Sequence, residues 1–185
     1  MNILQNMNLP NKLTLLRIVL IVPFVIFMLL ADYADWPKWI ALILFCAASI
    51  TDALDGYIAR RDNLITNFGK FMDPLADKLL VCSALICLVS LRMLPTVVCI
   101  IIIAREFAIS GFRLVAADNG VVIAAGVWGK LKTISQMAMI IVLIADLGGI
   151  FDIIGMLLII VSTVLTIVSL VDYIWQNKEV LSMQE

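Results

Sequence analysis

Long apolar runs separated by short polar clusters dominate this chain and restrict its possible folds more than any single motif. Six such segments, near residues 13–31, 38–60, 70–91, 93–113, 130–146 and 152–172, are each about long enough to cross a hydrocarbon core. Hydrophobic residues make up 63% of the 185 and charged residues only 15%, with a mean hydropathy of +1.10, more apolar material than a soluble domain of this size needs. The expectation is an all-α polytopic membrane protein of six transmembrane helices. No Gly/Ser-rich linker, low-complexity tract or repeat divides it, so residues 1–185 read as one domain. The first run is long for a signal peptide and leads into Asp32 and Asp35 rather than a soluble domain, so it is read as a span.

Composition then removes several kinds of chemistry. With no histidine in the chain, Ser-His-Asp and Cys-His nucleophile schemes and His-ligated zinc are excluded, and metal chemistry must use oxygen ligands. Cys46, Cys82, Cys87 and Cys99 all lie inside apolar runs without a C-x-x-C pair, which marks them as small apolar filler. A net charge of −1 gives no reason to expect nucleic acid as a partner.

Where the charge lies is more informative. Of thirteen Lys and Arg, only Lys38 and Arg92 fall on the side of the links near 32–37, 92 and 147–151. The positive-inside rule therefore places both termini in the cytoplasm of a plasma-membrane protein. The uncharged stretches 39–51, 79–91, 93–104 and 133–145 are only twelve or thirteen residues long. Each covers about 20 Å of a core roughly 30 Å thick. Charged residues must complete these spans, always at the cytoplasmic end: Asp52, Asp55 and Arg60; Asp73, Asp77 and Lys78; Arg105, Glu106 and Arg113; Lys130 and Lys132. Facing lipid they would cost several kcal/mol apiece, so the expectation is a polar cavity open to the cytoplasm. A divalent-cation transporter and an enzyme both fit such a cavity. The outer halves of these segments carry no charge and few hydroxyls, which leaves a conduction route unlined and favours the enzyme.

Asp52 and Asp55 are spaced i, i+3 and Asp73 and Asp77 i, i+4, so each pair projects from one helical face. Four converging carboxylates without counter-charge would repel one another and take up protons, which points to a divalent cation such as Mg²⁺ or Mn²⁺. Gly56 and Ala59, one turn after each aspartate of the first pair, keep that helix surface low enough for a nucleotide or phosphate to lie against it.

The residues from Asp52 to Asp77 read D-A-L-D-G-Y-I-A-R, eight residues, Gly69, three residues, Asp73, three residues, Asp77. This resembles the CDP-alcohol phosphotransferase signature D-x2-D-G-x2-A-R-x8-G-x3-D-x3-D at every fixed position. The resemblance implies a homodimeric helical membrane enzyme that uses two metal ions to displace CMP from a CDP-linked lipid with an alcohol. By that likeness Asp52, Asp55, Asp73 and Asp77 hold the metals, and Asp77 also takes the proton of the incoming hydroxyl. Gly56, Ala59, Arg60 and Gly69, with Asn11, Thr14 and Arg17 of the segment P-N-K-L-T-L-L-R, contact the CDP-lipid.

Two further segments, R-E-F-A-I-S-G-F-R over 105–113 and G-K-L-K-T over 129–133 with Gln136, resemble members of that family whose donor is CDP-diacylglycerol and whose acceptor is sn-glycerol 3-phosphate. Inositol phosphate and phosphatidylglycerol remain as alternative acceptors. A phosphorylated acceptor needs its own cationic pocket, for which Arg105, Arg113, Lys130 and Lys132 are the candidates, with Thr133 and Gln136 as hydrogen-bond donors. Glu106, seven residues before Arg113 and so on nearly the same helical face, is expected to orient it. The diacylglycerol tails need no polar site, since they can stay in the bilayer.

Overall fold

The computed structural model describes the backbone of residues 9–61, 67–118, 123 and 126–178, with side chains throughout except at 9–10, 52–61, 67–71, 73–74 and 118. Its regular structure is helical: α1 (Leu9–Leu30), α2 (Trp36–Arg61), α3 (Asn67–Ser90), α4 (Thr96–Asp118), α5 (Val127–Ala145) and α6 (Ile150–Gln176). Each of the six helices overlaps one of the six apolar segments, with ends that differ from the expected ones by up to five residues. Helix α4 begins at Thr96, later than the expected 93, since Arg92 turns the chain at φ 61° and the Pro95 carbonyl accepts the N–H of Cys99. By length and composition α1 over Asn11–Leu30, α5 and α6 are apolar enough to cross a membrane, and Trp36–Thr51 is a shorter apolar stretch. The protein is a membrane protein of several apolar helices.

The chain divides into two compact units, Met1–Leu91 and Arg92–Glu185. In the first, α1 packs against α2 and α3. Helix α1 buries Asn11, Thr14, Arg17, Ile21, Phe24 and Met28, a single stripe at three- and four-residue spacing, polar at its start and apolar further on. Phe24 meets Phe45 of α2 at 5.8 Å between ring centroids, and the buried Ala41 and Ala48 on either side of Phe45 allow that approach. Helix α3 closes the core with Ala76, Leu80, Ala84, Leu85 and Leu88. The exposed Tyr33, Trp36 and Trp39 cluster around the α1–α2 turn, aromatic residues of the kind enriched at membrane–water interfaces.

In the second unit α5 and α6 form an antiparallel hairpin, and α4 packs on α6. Asp146 (φ 42°), Gly148 (φ 73°) and Gly149 (φ 63°) make the turn, and the Asp146 N–H donates to the Val142 carbonyl. Helix α6 is inside-out by the standards of a soluble protein. Its buried stripe is Gly155, Ser162, Thr166, Ser169 and Tyr173, whereas Ile153, Leu157, Ile160, Val164, Ile167 and Val171 are exposed. Lipid solvates such an aliphatic face, and small residues on the other let helices approach closely. The hydroxyls of Thr166 and Ser169 donate to the carbonyls of Ser162 and Thr166, so they bond within their own helix. At Gly155 a Cβ atom would lie 3.2 Å from Leu143 Cδ2. Gly155→Leu is therefore expected to force the hairpin apart at a cost of about 1–3 kcal/mol, read as a lower thermal midpoint in detergent. An unchanged midpoint would show that the hairpin is loosely packed there.

Candidate active site

Chain order brings the expected donor-side residues to one end of the first unit. Helix α1 starts where α2 ends, and α3 starts just after it, so Asn11, Thr14 and Arg17 share an end with the Asp52–Arg60 and Gly69–Asp77 segments. Asn11, Thr14 and Arg17 are buried, Thr14 and Arg17 completely, and all three are engaged by other groups. A guanidinium withdrawn from solvent needs an anionic or strongly polar environment. Asp77 is exposed, Lys78 is half-buried, and both have interaction partners. The side chains of Asp52, Asp55, Gly56, Ala59, Arg60, Gly69 and Asp73 lie outside the described residues, although their backbone is helical.

The donor set can be tested for metal chemistry even so. Four carboxylates on the end of α2 and the start of α3, with no sulfur or imidazole among them, make an all-oxygen set that fits a hard divalent cation. Among the described residues there is no group of three or more His, Cys, Asp or Glu that would compete for one.

The second unit contains a compact ionic cluster. Glu106 of α4 accepts a short hydrogen bond from Lys132 Nζ of α5 and a longer one, 3.3 Å, from Arg105 Nη1. Lys132 is 1% exposed and Arg105 8%, so a carboxylate is what makes their burial tolerable. Arg105 Nη2 lies 3.6 Å from where a Cβ of Gly129 would be, so the guanidinium rests on the first turn of α5. Gln136, one turn after Lys132, is 3% exposed. Its Oε1 and Arg105 Nε are buried without a hydrogen-bond partner among the described residues. Among the described residues, two cations meet one carboxylate here, and Arg105 Nε and Gln136 Oε1 remain as unfilled donor and acceptor positions.

Other expected members of the acceptor set are exposed. Lys130 and Thr133 are exposed, and the Thr133 hydroxyl donates to the Gly129 carbonyl at 3.0 Å, so its proton is used within the helix. Arg113 is also exposed, and it is not on Glu106. Its guanidinium lies 5.6 Å from the centroid of the Tyr173 ring, while Glu106 is taken by Lys132 and Arg105. Spacing along one helix pointed to Arg113, but two turns separate it from Glu106, and the neighbouring helix brings a cation closer. Tyr173 was missed altogether. Its signal in the sequence is an aromatic residue closing the Ser162, Thr166, Ser169 stripe at helical spacing.

Comparison with known proteins agrees with the signature. A model of CDP-alcohol phosphatidyltransferases matches residues 7–168, across both units. The chain is 52% identical over 142 residues to a CDP-diacylglycerol–glycerol-3-phosphate 3-phosphatidyltransferase of Bacillus subtilis, covering 70% of this chain and 72% of that one. It is 39% identical over 172 residues to the protein of the same name from Rickettsia bellii, with 90% and 93% covered. A probable phosphatidylglycerophosphate synthase of Mycobacterium tuberculosis is 37% identical over 169 residues, with 90% and 80% covered. A signature complete at every fixed position, on helices that a family match spans almost from end to end, means that this chain belongs to the CDP-alcohol phosphatidyltransferase family.

Proposed function

We infer that this enzyme transfers the phosphatidyl group from CDP-diacylglycerol to sn-glycerol 3-phosphate, giving phosphatidylglycerophosphate and CMP. The observation that carries this reading is the identity of 37–52%, over most of the chain, to proteins named for that reaction. The acceptor hydroxyl attacks the β-phosphorus of the CDP-lipid, a new P–O bond forms, and the bond to CMP breaks. Asp77 receives the hydroxyl proton, and its exposed side chain is accessible to a substrate. Asp52, Asp55, Asp73 and Asp77 would hold two divalent cations, Mg²⁺ or Mn²⁺, whose chemistry is to neutralise phosphoryl oxygens and the departing CMP. Asn11, Thr14, Arg17, Gly56, Ala59, Arg60 and Gly69 bind the CDP moiety.

Arg105, Arg113, Lys130 and Lys132, with Thr133 and Gln136, serve the acceptor phosphate and glycerol hydroxyls; the unpartnered Arg105 Nε and Gln136 Oε1 support that role. The protein acts as a single domain and a homodimer in the plasma membrane, with six spans, cytoplasmic termini and the charged helix ends opening to the cytoplasm. The diacylglycerol tails remain in the bilayer.

The test is CMP release by purified enzyme supplied with CDP-diacylglycerol and glycerol 3-phosphate, inositol phosphate or phosphatidylglycerol. Preference for either alternative acceptor would reassign the enzyme within its family. Arg113→Ala is expected to weaken glycerol 3-phosphate by roughly 1.5–3 kcal/mol, the scale of a charge-assisted hydrogen bond, with little change for CDP-diacylglycerol. Free glycerol, which has no phosphate, should be used poorly by both enzymes, with no further loss in the variant. Equal losses with glycerol and glycerol 3-phosphate would place Arg113 on the diphosphate or in folding.

A further inference from the structure

The cations of the second unit are held in two different ways. Lys132 gives its charge to Glu106, and Arg105 shares that carboxylate. Arg113 forms no ion pair among the described residues, and Asp172, next to Tyr173 in the chain, accepts at its Oδ1 a hydrogen bond from Gln176 Nε2 at 2.7 Å. What holds Arg113 is an aromatic face: its Cζ lies over the Tyr173 ring. Tyr173 is fixed in turn, 7% exposed and in a T-shaped contact with Phe112 at 5.5 Å and 82°. One ring of α6 therefore grips two consecutive residues of α4.

We propose that Tyr173 is a positioning residue for acceptor recognition, presenting Arg113 to the phosphate of the incoming alcohol through a cation–π contact. A carboxylate in that place would orient the guanidinium but cancel its charge and occupy the donors that a phosphate needs. A ring face attracts the cation while leaving every N–H free to donate. The arrangement supplies a directed cation with its charge intact, which Lys132 is not. The ring is what matters, because the Tyr173 hydroxyl is buried with no hydrogen-bond partner among the described residues.

The proposal rests on the acceptor reading given above, and a double-mutant cycle separates the two. Tyr173→Leu is expected to raise KM for glycerol 3-phosphate roughly two- to five-fold, the range of an exposed cation–π contact, with kcat and the KM for CDP-diacylglycerol unchanged. Tyr173→Phe, which keeps the ring, should restore the wild-type KM. In an Arg113→Ala background Tyr173→Leu should add nothing. Tyr173→Met, flexible enough to fill the same space, gives the same comparison if the leucine variant does not fold. Fully additive effects, or a Tyr173→Phe enzyme as impaired as Tyr173→Leu, overturn the positioning role while leaving the acceptor reading intact. An Arg113→Ala enzyme with normal KM for glycerol 3-phosphate overturns both.

Discussion

Asp77→Asn is expected to lower turnover at least about 100-fold, the scale of a lost general base, while part of the metal affinity remains. The amide keeps one oxygen ligand but accepts no proton at neutral pH. Asp52→Ala, Asp55→Ala and Asp73→Ala each delete one carboxylate of the proposed metal set, so metal affinity and turnover should fall together. Chelation should abolish the activity of the wild-type enzyme, and added Mg²⁺ or Mn²⁺ should restore it. Titration calorimetry with Mn²⁺ on each variant separates the two roles independently of turnover. Full activity in metal-free buffer would remove the basis for the four-carboxylate site, and a near-normal Asp77→Asn enzyme would leave the base to be sought elsewhere.

Breaking the ionic cluster of the second unit should be costly and asymmetric. Glu106→Gln removes the carboxylate that both Lys132 and Arg105 face in a buried site, an effect of about 3–5 kcal/mol for breaking a buried ion pair by removing one partner. The thermal midpoint in detergent should fall by roughly 6–20 °C at the 2–4 °C per kcal/mol usual for a chain of this size. Lys132→Met should cost less, because Arg105 still reaches Glu106. Combining the two substitutions should recover part of the stability, since the remaining cation no longer faces a second one. Equal destabilisation by the two single variants would mean that Arg105 contributes nothing to holding Glu106.

The helices were legible because each apolar run is long and interrupted only by charge. Their ends were less so: Pro95 and the left-handed Arg92 shift the start of α4 in a way hydropathy does not register. Within the candidate site, i, i+3 and i, i+4 spacing identified the paired aspartates because their shared face is a property of one helix. The partner of Glu106 depends on how α5 packs against α4, and reading along α4 alone favoured Arg113 over Lys132. The fold also adds a bond at Thr133 that spacing alone leaves open: its hydroxyl donates to the Gly129 carbonyl four residues earlier.

Helix α6 also acts as a depth gauge. Asp152 stands in its first turn and Asp172 near its end, and no charged residue lies between them. Twenty residues of helix span about 30 Å, the thickness of a bilayer's hydrocarbon slab. A carboxylate at each end resists being drawn inward, which pins the helix against vertical sliding in the membrane. Tyr173 follows Asp172 directly, so the guanidinium resting on its ring lies at the same end of the helix as that carboxylate. A single rigid element, matched in length to the hydrocarbon slab, thus limits how far the Arg113–Tyr173 contact can shift along the membrane normal.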